Sequence, residues 1–398
     1  MTDRATSFEA VRRANLGRLL RLVHLGGPQS RAQLTAATGL NRSTIADLVA
    51  ELVALGVATE LPPAPATRAG RPSPVVAAHR SVVAIAVNPE VDALTLAAVG
   101  LDGSIVARRR IEVDHLLTPH STVRMVAGAI DAWRADELRD ARIMRLGFAV
   151  PGLVQATDGM VRTAPHLRWN DEPLRELATA ATGLPAVVGN DASLGAIAEH
   201  LFGAGRGIDD MVYLNGGASG IGGGVIVHGM PVAGLSGYAG EFGQNRPGIP
   251  STADRRAGDG VLEDEVSRAR LLAVARLTSA DEPTLAAALA ASDLPDAREE
   301  IARQRRILST ALANAVNVLN PRLIVLGGFL ATLATLGEGA EEQLLAAVAA
   351  QAMPAAVEDL EIRSAALGED RLLIGAAEAA FAQLLDDPVG SLRAPVDH

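Results

Sequence analysis

The sequence predicts a small helical head with a β-wing, followed by a larger α/β body. Three observations predict it: opposite charge in the two parts, a change of hydrophobic period near Ser81, and an order of elements that the body runs through twice. The chain has 398 residues, 48% of them apolar, enough for several buried cores. Residues 1–80 contain ten arginines and five acids, a net +5; since the whole chain carries −10, residues 81–398 carry −15. A basic head on an acidic body is the electrostatic footprint of a nucleic-acid-binding module carried by another domain. A solvated charge imbalance is the plainer alternative.

Composition excludes several chemistries. There is no cysteine, hence no disulfide and no thiolate metal site. All 36 basic residues are arginine, so a lysine general base or Schiff base is excluded. No run of eighteen apolar residues occurs, and "MTDRATSFEAVRRANL" lacks the apolar stretch of a signal peptide, so a cytoplasmic protein with no membrane partner is expected.

Leu16, Leu19, Leu20 and Val23 recur at i, i+3, i+4, i+7, the stripe of an amphipathic helix that "GGP" at Gly26–Pro28 ends. Ser30 caps a second helix over Arg31–Thr38, and Gly39 supplies a tight turn. Asn41 can cap a third helix, whose stripe is Ile45, Leu48, Val49 and Leu52. Three such helices make a helix-turn-helix with a preceding helix. The first turn of the last one exposes Asn41, Arg42, Ser43 and Thr44, types suited to base edges and phosphates, and Arg31 joins them as a candidate DNA contact. Val57–Leu61 and Pro74–Ala78 read as the strands of a wing, with Arg68 and Arg71 on a proline-rich tip able to reach a minor groove. An interdomain linker is the competing reading of that tip.

In the body, "SVVAIAV", "ALTLAAV" and "SIVARRRIEV" read as three strands with a hairpin turn at Leu101–Ser104. A helix over about Ser121–Leu138, the strand "RIMRLGFAV", a helix over about Pro173–Thr182, the strand "PAVVGN" and a helix from Ala192 to Phe202 follow. The scheme then repeats: strands "DMVYLNGG" and "GIGGGVIVHG", a long helix over Arg298–Leu319, the strand "RLIVLGG", and a last helix near Leu372–Leu384. Two α/β lobes that each begin with an antiparallel meander imply a cleft as the ligand site. The expected domains are 1–66 for the winged head, 67–80 for wing and linker, 81–200 for the first lobe and 201–398 for the second, the last helix packing back on the first lobe.

The strings "GPQSRAQLTAATGLNRSTIADLVAEL", "GRPSP", "VPGLV", "PHLRWN", "GNDASLGAIAEHLFGAGRG", "GIGGGVIVHG" and "GYAGEFG" resemble the ROK family (repressor, open reading frame, kinase), in its branch with a winged helix-turn-helix. The resemblance covers nearly the whole chain and implies the bilobal actin-like, ribonuclease H-like fold. It also implies sugar contacts. Asn190 and Asp191 match the family's Asn-Asp pair, whose Asp is the general base of the kinases; helix capping is the alternative role of Asp191. Glu241 and Gln244 match E-x-G-H, with glutamine where the family has histidine. The family's zinc loop, C-x-C-G-x-x-G-C-x-E, aligns back from Glu263 and puts its cysteines at Asp254, Arg256 and Val261. No zinc is therefore expected, while Glu263 remains as a ligand contact or as part of a solvated face. His166 and Trp169 lie in the matched "PHLRWN" loop, beside the ligand or merely packed.

Phosphoryl transfer is read against. The family's kinases open the first lobe with a glycine-rich D-x-G-x-T-like turn; here stand Asn88, Pro89 and Glu90. Pro89 has no N–H for a phosphate and Glu90 repels one. No catalytic residue and no ATP are expected. The function expected is a DNA-binding transcriptional regulator, a repressor by resemblance, whose body binds a sugar or sugar derivative without phosphorylating it. Its partners are operator DNA and the sugar, and its heads imply a homodimer or a dimer of dimers. A sugar kinase with a fused head and a regulator with a vestigial pocket are the alternatives.

Overall fold

The computed structural model describes residues 2–62, 74–218, 220–258 and 260–393, with side chains from Glu9 to Leu392. Arg68 and Arg71 lie outside the described residues. The chain divides into two compact units: Met1–Val150, Asp158–Gly189 and Ala376–His398 form one, and Pro151–Thr157 with Asn190–Gly375 form the other. The helix Asp191–Phe202, which the sequence reading placed in the first lobe, thus clusters with the second unit.

The first unit begins with helices at Thr2–Gly26, Arg31–Thr38 and Arg42–Ala54. The predicted stripes meet in one core: Leu16, Leu19, Leu20, Val23, Leu34, Ile45, Leu48, Val49 and Leu52 are essentially inaccessible to solvent. Ser30 caps the second helix through a capping box, its Oγ taking the Gln33 N–H while Gln33 Oε1 takes the Ser30 N–H. The wing strands Ala58–Leu61 and Val75–Ala78 pair antiparallel, and Gln29–Ser30 adds a short third strand against Val75–Val76.

Next comes a five-stranded sheet in the order Ile105–Glu112, Ala93–Gly100, Val82–Pro89, Arg142–Val150, Ala186–Asn190. Val82–Pro89 runs antiparallel to Ala93–Gly100 and parallel to Arg142–Val150. The first helix of the body starts at Pro119, two residues before the expected Ser121, because Thr118 caps it and Pro119 fits the first helical position. The last long helix, Arg371–Asp386, reaches this unit at Ala376. His24, on the first helix, is buried against it: Nε2 lies 2.9 Å from Glu378 Oε1, and Nδ1 lies 2.5 Å from the Leu101 carbonyl.

The second unit repeats the sheet order with different strands: Met230–Pro231, Gly220–Val227, Met211–Gly217, Leu323–Gly328, Glu361–Ser364. Its first strand in sequence again pairs antiparallel on one side and parallel on the other. Val212, Leu214, Ile324 and Leu326 pack with Leu308, Leu312 and Val316 of the helix Pro295–Leu319 and with Phe329 and Leu330. Among the described residues no helix is long and apolar enough to cross a membrane.

Candidate nucleic-acid and effector sites

The head presents the start of its third helix to solvent. Asn41 Oδ1 accepts the Thr44 N–H at 2.8 Å and the Ser43 hydroxyl at 2.7 Å, so these residues fix the cap as well as its surface. Asn41, Arg42 and Ser43 are exposed and Thr44 is half-buried. Arg31 faces the wing: its guanidinium pairs with Glu60 at 2.6 Å, joining the second helix to the wing. Arg18 donates to the Ala37 and Thr38 carbonyls and Arg12 pairs with Glu51, so part of the head's basic charge holds helices together.

The sugar-contact candidates all fall in the second unit. Asn190, not Asp191, is the helix cap: its Oδ1 takes the Ser193 N–H at 2.9 Å while its Nδ2 donates to the Gly152 carbonyl at 3.0 Å. Asp191 is the first helical residue, and one of its oxygens accepts the Ala192 N–H at 2.8 Å. Burial, against that hydrogen bond and the charge of Arg371, and reinforced by Glu241, pushes the Asp191 pKa up to about 6. Burial also raises the pKa of Glu241, with Glu263 adding to it. Glu241 is thus in electrostatic reach of both Asp191 and Glu263, and Arg371 is the cation that acts on Asp191.

Close packing assembles this set. The strand Gly220–Val227 lies between the helix that starts at Asp191 and the loop that carries Glu241. A Cβ on Gly222 would come within 2.6 Å of Ala192 Cβ, and one on Gly223 within 2.5 Å of the Phe242 ring and 2.9 Å of the Gly240 carbonyl. Glu263 Oε2 accepts the Ile221 N–H at 3.2 Å, where a Cβ on Gly220 would stand 2.4 Å from that oxygen. Gln244 Nε2 donates to Glu263 Oε1. The glycines of "GIGGG" thus admit neighbouring elements to the strand, a role independent of any phosphate.

The sequence reading missed Tyr213, Asn215 and Arg371. Tyr213 is fully buried, its hydroxyl makes no hydrogen bond of good geometry, and burial raises its pKa. Asn215 Oδ1 is likewise buried without a partner. The positive charge of Arg371 acts on both Tyr213 and Asp191. A single tyrosine in the otherwise aliphatic "MVYLN" was the available signal; nothing local marks Arg371.

In the first unit the strand runs on through Asn88 and Pro89, so the turn falls two residues later than the sequence reading placed it, at Glu90–Asp92. Glu90 fills it with its own carboxylate, which takes the Asn88 amide at 2.7 Å and Arg110 Nη1 at 2.9 Å. His166 is exposed, while Trp169 is buried and donates Nε1–H to the Leu117 carbonyl at 2.8 Å. For zinc, the residues at the family's four ligand places are Gln244, Asp254, Arg256 and Val261, with no thiolate or imidazole among them. Asp254 is already held by Arg306 at 2.9 Å. This donor set does not fit zinc.

The model of the ROK family matches residues 84–383. A xylose repressor of Caldicellulosiruptor bescii is 23% identical over 376 residues, spanning 90% of this chain and 93% of its own. A glucokinase of Halalkalibacterium halodurans is 30% identical over 253 residues, but spans 58% of this chain and 74% of its own. Among solved structures, a ROK family transcriptional regulator, a homologue of the E. coli MLC protein, superposes with a TM-score of 0.76 at 22% identity, covering 98% of this chain and all of that one. A match over 90% of the chain necessarily enters the residues before position 84, which precede the family model. The chain belongs to the ROK family.

Proposed function

We propose that this chain is a DNA-binding transcriptional repressor whose ROK body binds a sugar without phosphorylating it. The observation that carries the reading is the pairing, on one chain, of an exposed Asn41–Arg42–Ser43 helix start with the acceptor set Asp191, Glu241 and Glu263. The full-length likeness to a xylose repressor supports it, and points to an aldose such as D-xylose as the effector class. Three carboxylates with the one cation Arg371 acting on Asp191 keep a net negative site, which suits the hydroxyls of an uncharged sugar and repels a sugar phosphate. Arg42 supplies phosphate or groove contact, Asn190 sets the helix start, and Gln244 steadies Glu263. Two heads on a homodimer would read two half-sites, with Arg68 and Arg71 as further groove contacts. The division proposed is a head over 1–66, a wing and linker over 67–80, and a body over 81–398.

A sugar kinase with a fused head is the second reading, favoured by the glucokinase likeness and by the Asp191 pKa near 6, which suits a general base. The Glu90 carboxylate and Pro89 at the first unit's hairpin end oppose it. Fluorescence anisotropy on DNA from upstream of the chain's own gene, at fixed salt, tests both readings with D-xylose, D-glucose and other monosaccharides. Selective binding that one free sugar weakens is the expected result. No sugar effect, together with ATP-dependent phosphorylation of a sugar, would overturn the repressor reading.

A further inference from the structure

The loop that aligns with the family's metal-binding segment is closed by charge. Arg303, on the helix Pro295–Leu319, and Glu265, at the end of the turn Leu262–Glu265, are both 0% exposed and meet at 2.9 Å. The Glu265 carboxylate takes the Arg256 N–H at 2.9 and 3.0 Å and the Ala257 N–H at 3.0 Å. Arg303 sends Nη1 to the Asp254 carbonyl and Nη2 to the Glu265 carbonyl, both at 2.6 Å. Glu300 holds the other edge of the guanidinium at 2.9 and 2.8 Å. The backbone at 254 and 256, where the resemblance puts two thiolates, is therefore fastened by side chains.

We propose that Arg303 is a positioning residue, doing for the Glu263 loop what a metal ion does in metal-bearing members, so that this loop keeps its order without metal. The inference rests on the reading of Glu263 as an effector contact. Glu263 stands two residues before Glu265 on the same single-turn helix, and the Leu262 N–H is tied to the Asn245 carbonyl at 2.8 Å beside Gln244. Holding Glu265 therefore holds the turn that presents Glu263. Only a guanidinium meets the geometry: its donors form a fixed planar fork that reaches four acceptors at once, whereas an ammonium is a point charge. Stability alone is a poor reason for such a group, since a buried ion pair is often matched or bettered by apolar residues of similar volume. Orientation of the loop is the reason left.

The test is amide hydrogen exchange on the sugar-free full-length protein: wild type, Arg303→Met/Glu265→Leu, which leaves only the Glu300 carboxylate, 12% exposed, without its cation, and Arg303→Lys. In the double variant, protection at residues 254–257 and 261–266 is expected to fall at least tenfold while strands Met211–Gly217 and Leu323–Gly328 keep theirs. Arg303→Lys, which keeps the charge but not the planar fork, is expected to lose loop protection as well, and wild-type protection is expected to survive EDTA. Titration calorimetry with D-xylose and D-glucose should show at least a tenfold weaker affinity in the double variant for whichever sugar the wild type binds. Unchanged loop protection in the double variant, loss of protection in loop and strands alike, or loosening of the wild-type loop by EDTA that zinc reverses would each overturn the proposal. A wild type that binds neither sugar would count against the sensor reading alone, since exchange is read without sugar.

Discussion

Two carboxylates of the second unit, Asp191 and Glu265, are both held by protein, and their acidities move in opposite directions. Asp191 opens a helix, and although the Ala192 N–H and the charge of Arg371 favour its ionised form, burial outweighs them and its pKa rises to about 6. Glu265 is also desolvated, yet the Ala257 and Arg256 N–H groups and Arg303 outweigh that burial, and its pKa falls. The difference separates recognition from architecture. A carboxylate whose acceptor capacity is left over is available to a ligand hydroxyl; one whose capacity is filled by its own chain fixes the backbone around it.

The largest expected effect comes from breaking the filled site on one side. Arg303→Met leaves Glu265 and Glu300 desolvated without their cation, and removal of one member of such a buried pair costs about 3–5 kcal/mol. Urea unfolding monitored by circular dichroism checks this, and a loss near zero would mean that the network is solvated in solution. Next in size is Asp191→Asn. Hydrogen bonds to a charged group contribute roughly 1.5–3 kcal/mol, so sugar affinity is expected to fall about 10- to 150-fold, while the unfolding free energy at pH 7.5 rises by on the order of 1 kcal/mol because an unpaired charge is removed. Calorimetry with the sugar found by anisotropy reads the first, and urea unfolding the second. Lost affinity with lost stability would make Asp191 architectural.

The smallest expected effect is in pH dependence, and there the signs oppose. Asp191 has a folded pKa above its unfolded value near 3.8, so its contribution favours folding at low pH and is lost as pH rises toward about 6. Glu265 has a folded pKa below its unfolded value near 4.5, so its contribution is present above that value and is lost as pH falls through the lowered one. Sugar affinity should weaken as pH drops below about 6, when Asp191 takes a proton. His24 adds a third slope: burial pushes its pKa down, but Glu378 and the Leu101 carbonyl outweigh it, so that contact is fully formed below the unfolded value of 6.5 and weakens as pH rises through the raised folded one. Urea unfolding from about pH 2.5 to 8 of wild type, Asp191→Asn, Glu265→Gln and His24→Gln separates the three, and parallel curves would remove the distinction.

Much of this was legible in the residues. The head could be read because its signals are local: a 3.6-residue apolar period, Ser30 and Asn41 as caps, and a glycine turn at Gly39 each act within one turn of helix. The body's two meanders could be read from alternation and turn residues, and the order of elements repeats in the two sheets. Asn190, Asp191, Glu241 and Glu263 were named as candidates through motif resemblance alone, since nothing in their spacing of up to 73 residues points to one site. The short helices between Leu262 and Ala290 passed unread because they are brief and amphipathic over few turns.

By itself the sequence determined the charge division, the absence of thiolate and lysine chemistry and the longer secondary elements, and its motifs carried the resemblance to the family. The first three follow from residue type and short-range periodicity. Only the tertiary structure decided that Asn190 caps the helix in place of Asp191, that Arg31 turns to Glu60, that Glu90 fills its own hairpin end, and that Arg303 pairs with Glu265. Each of these depends on which donor reaches which acceptor across the fold. For the last three, that choice is set by desolvation and packing between residues 20 to 38 positions apart, beyond the reach of local pattern; the cap is local, but Asn190 and Asp191 are adjacent and each could have supplied it.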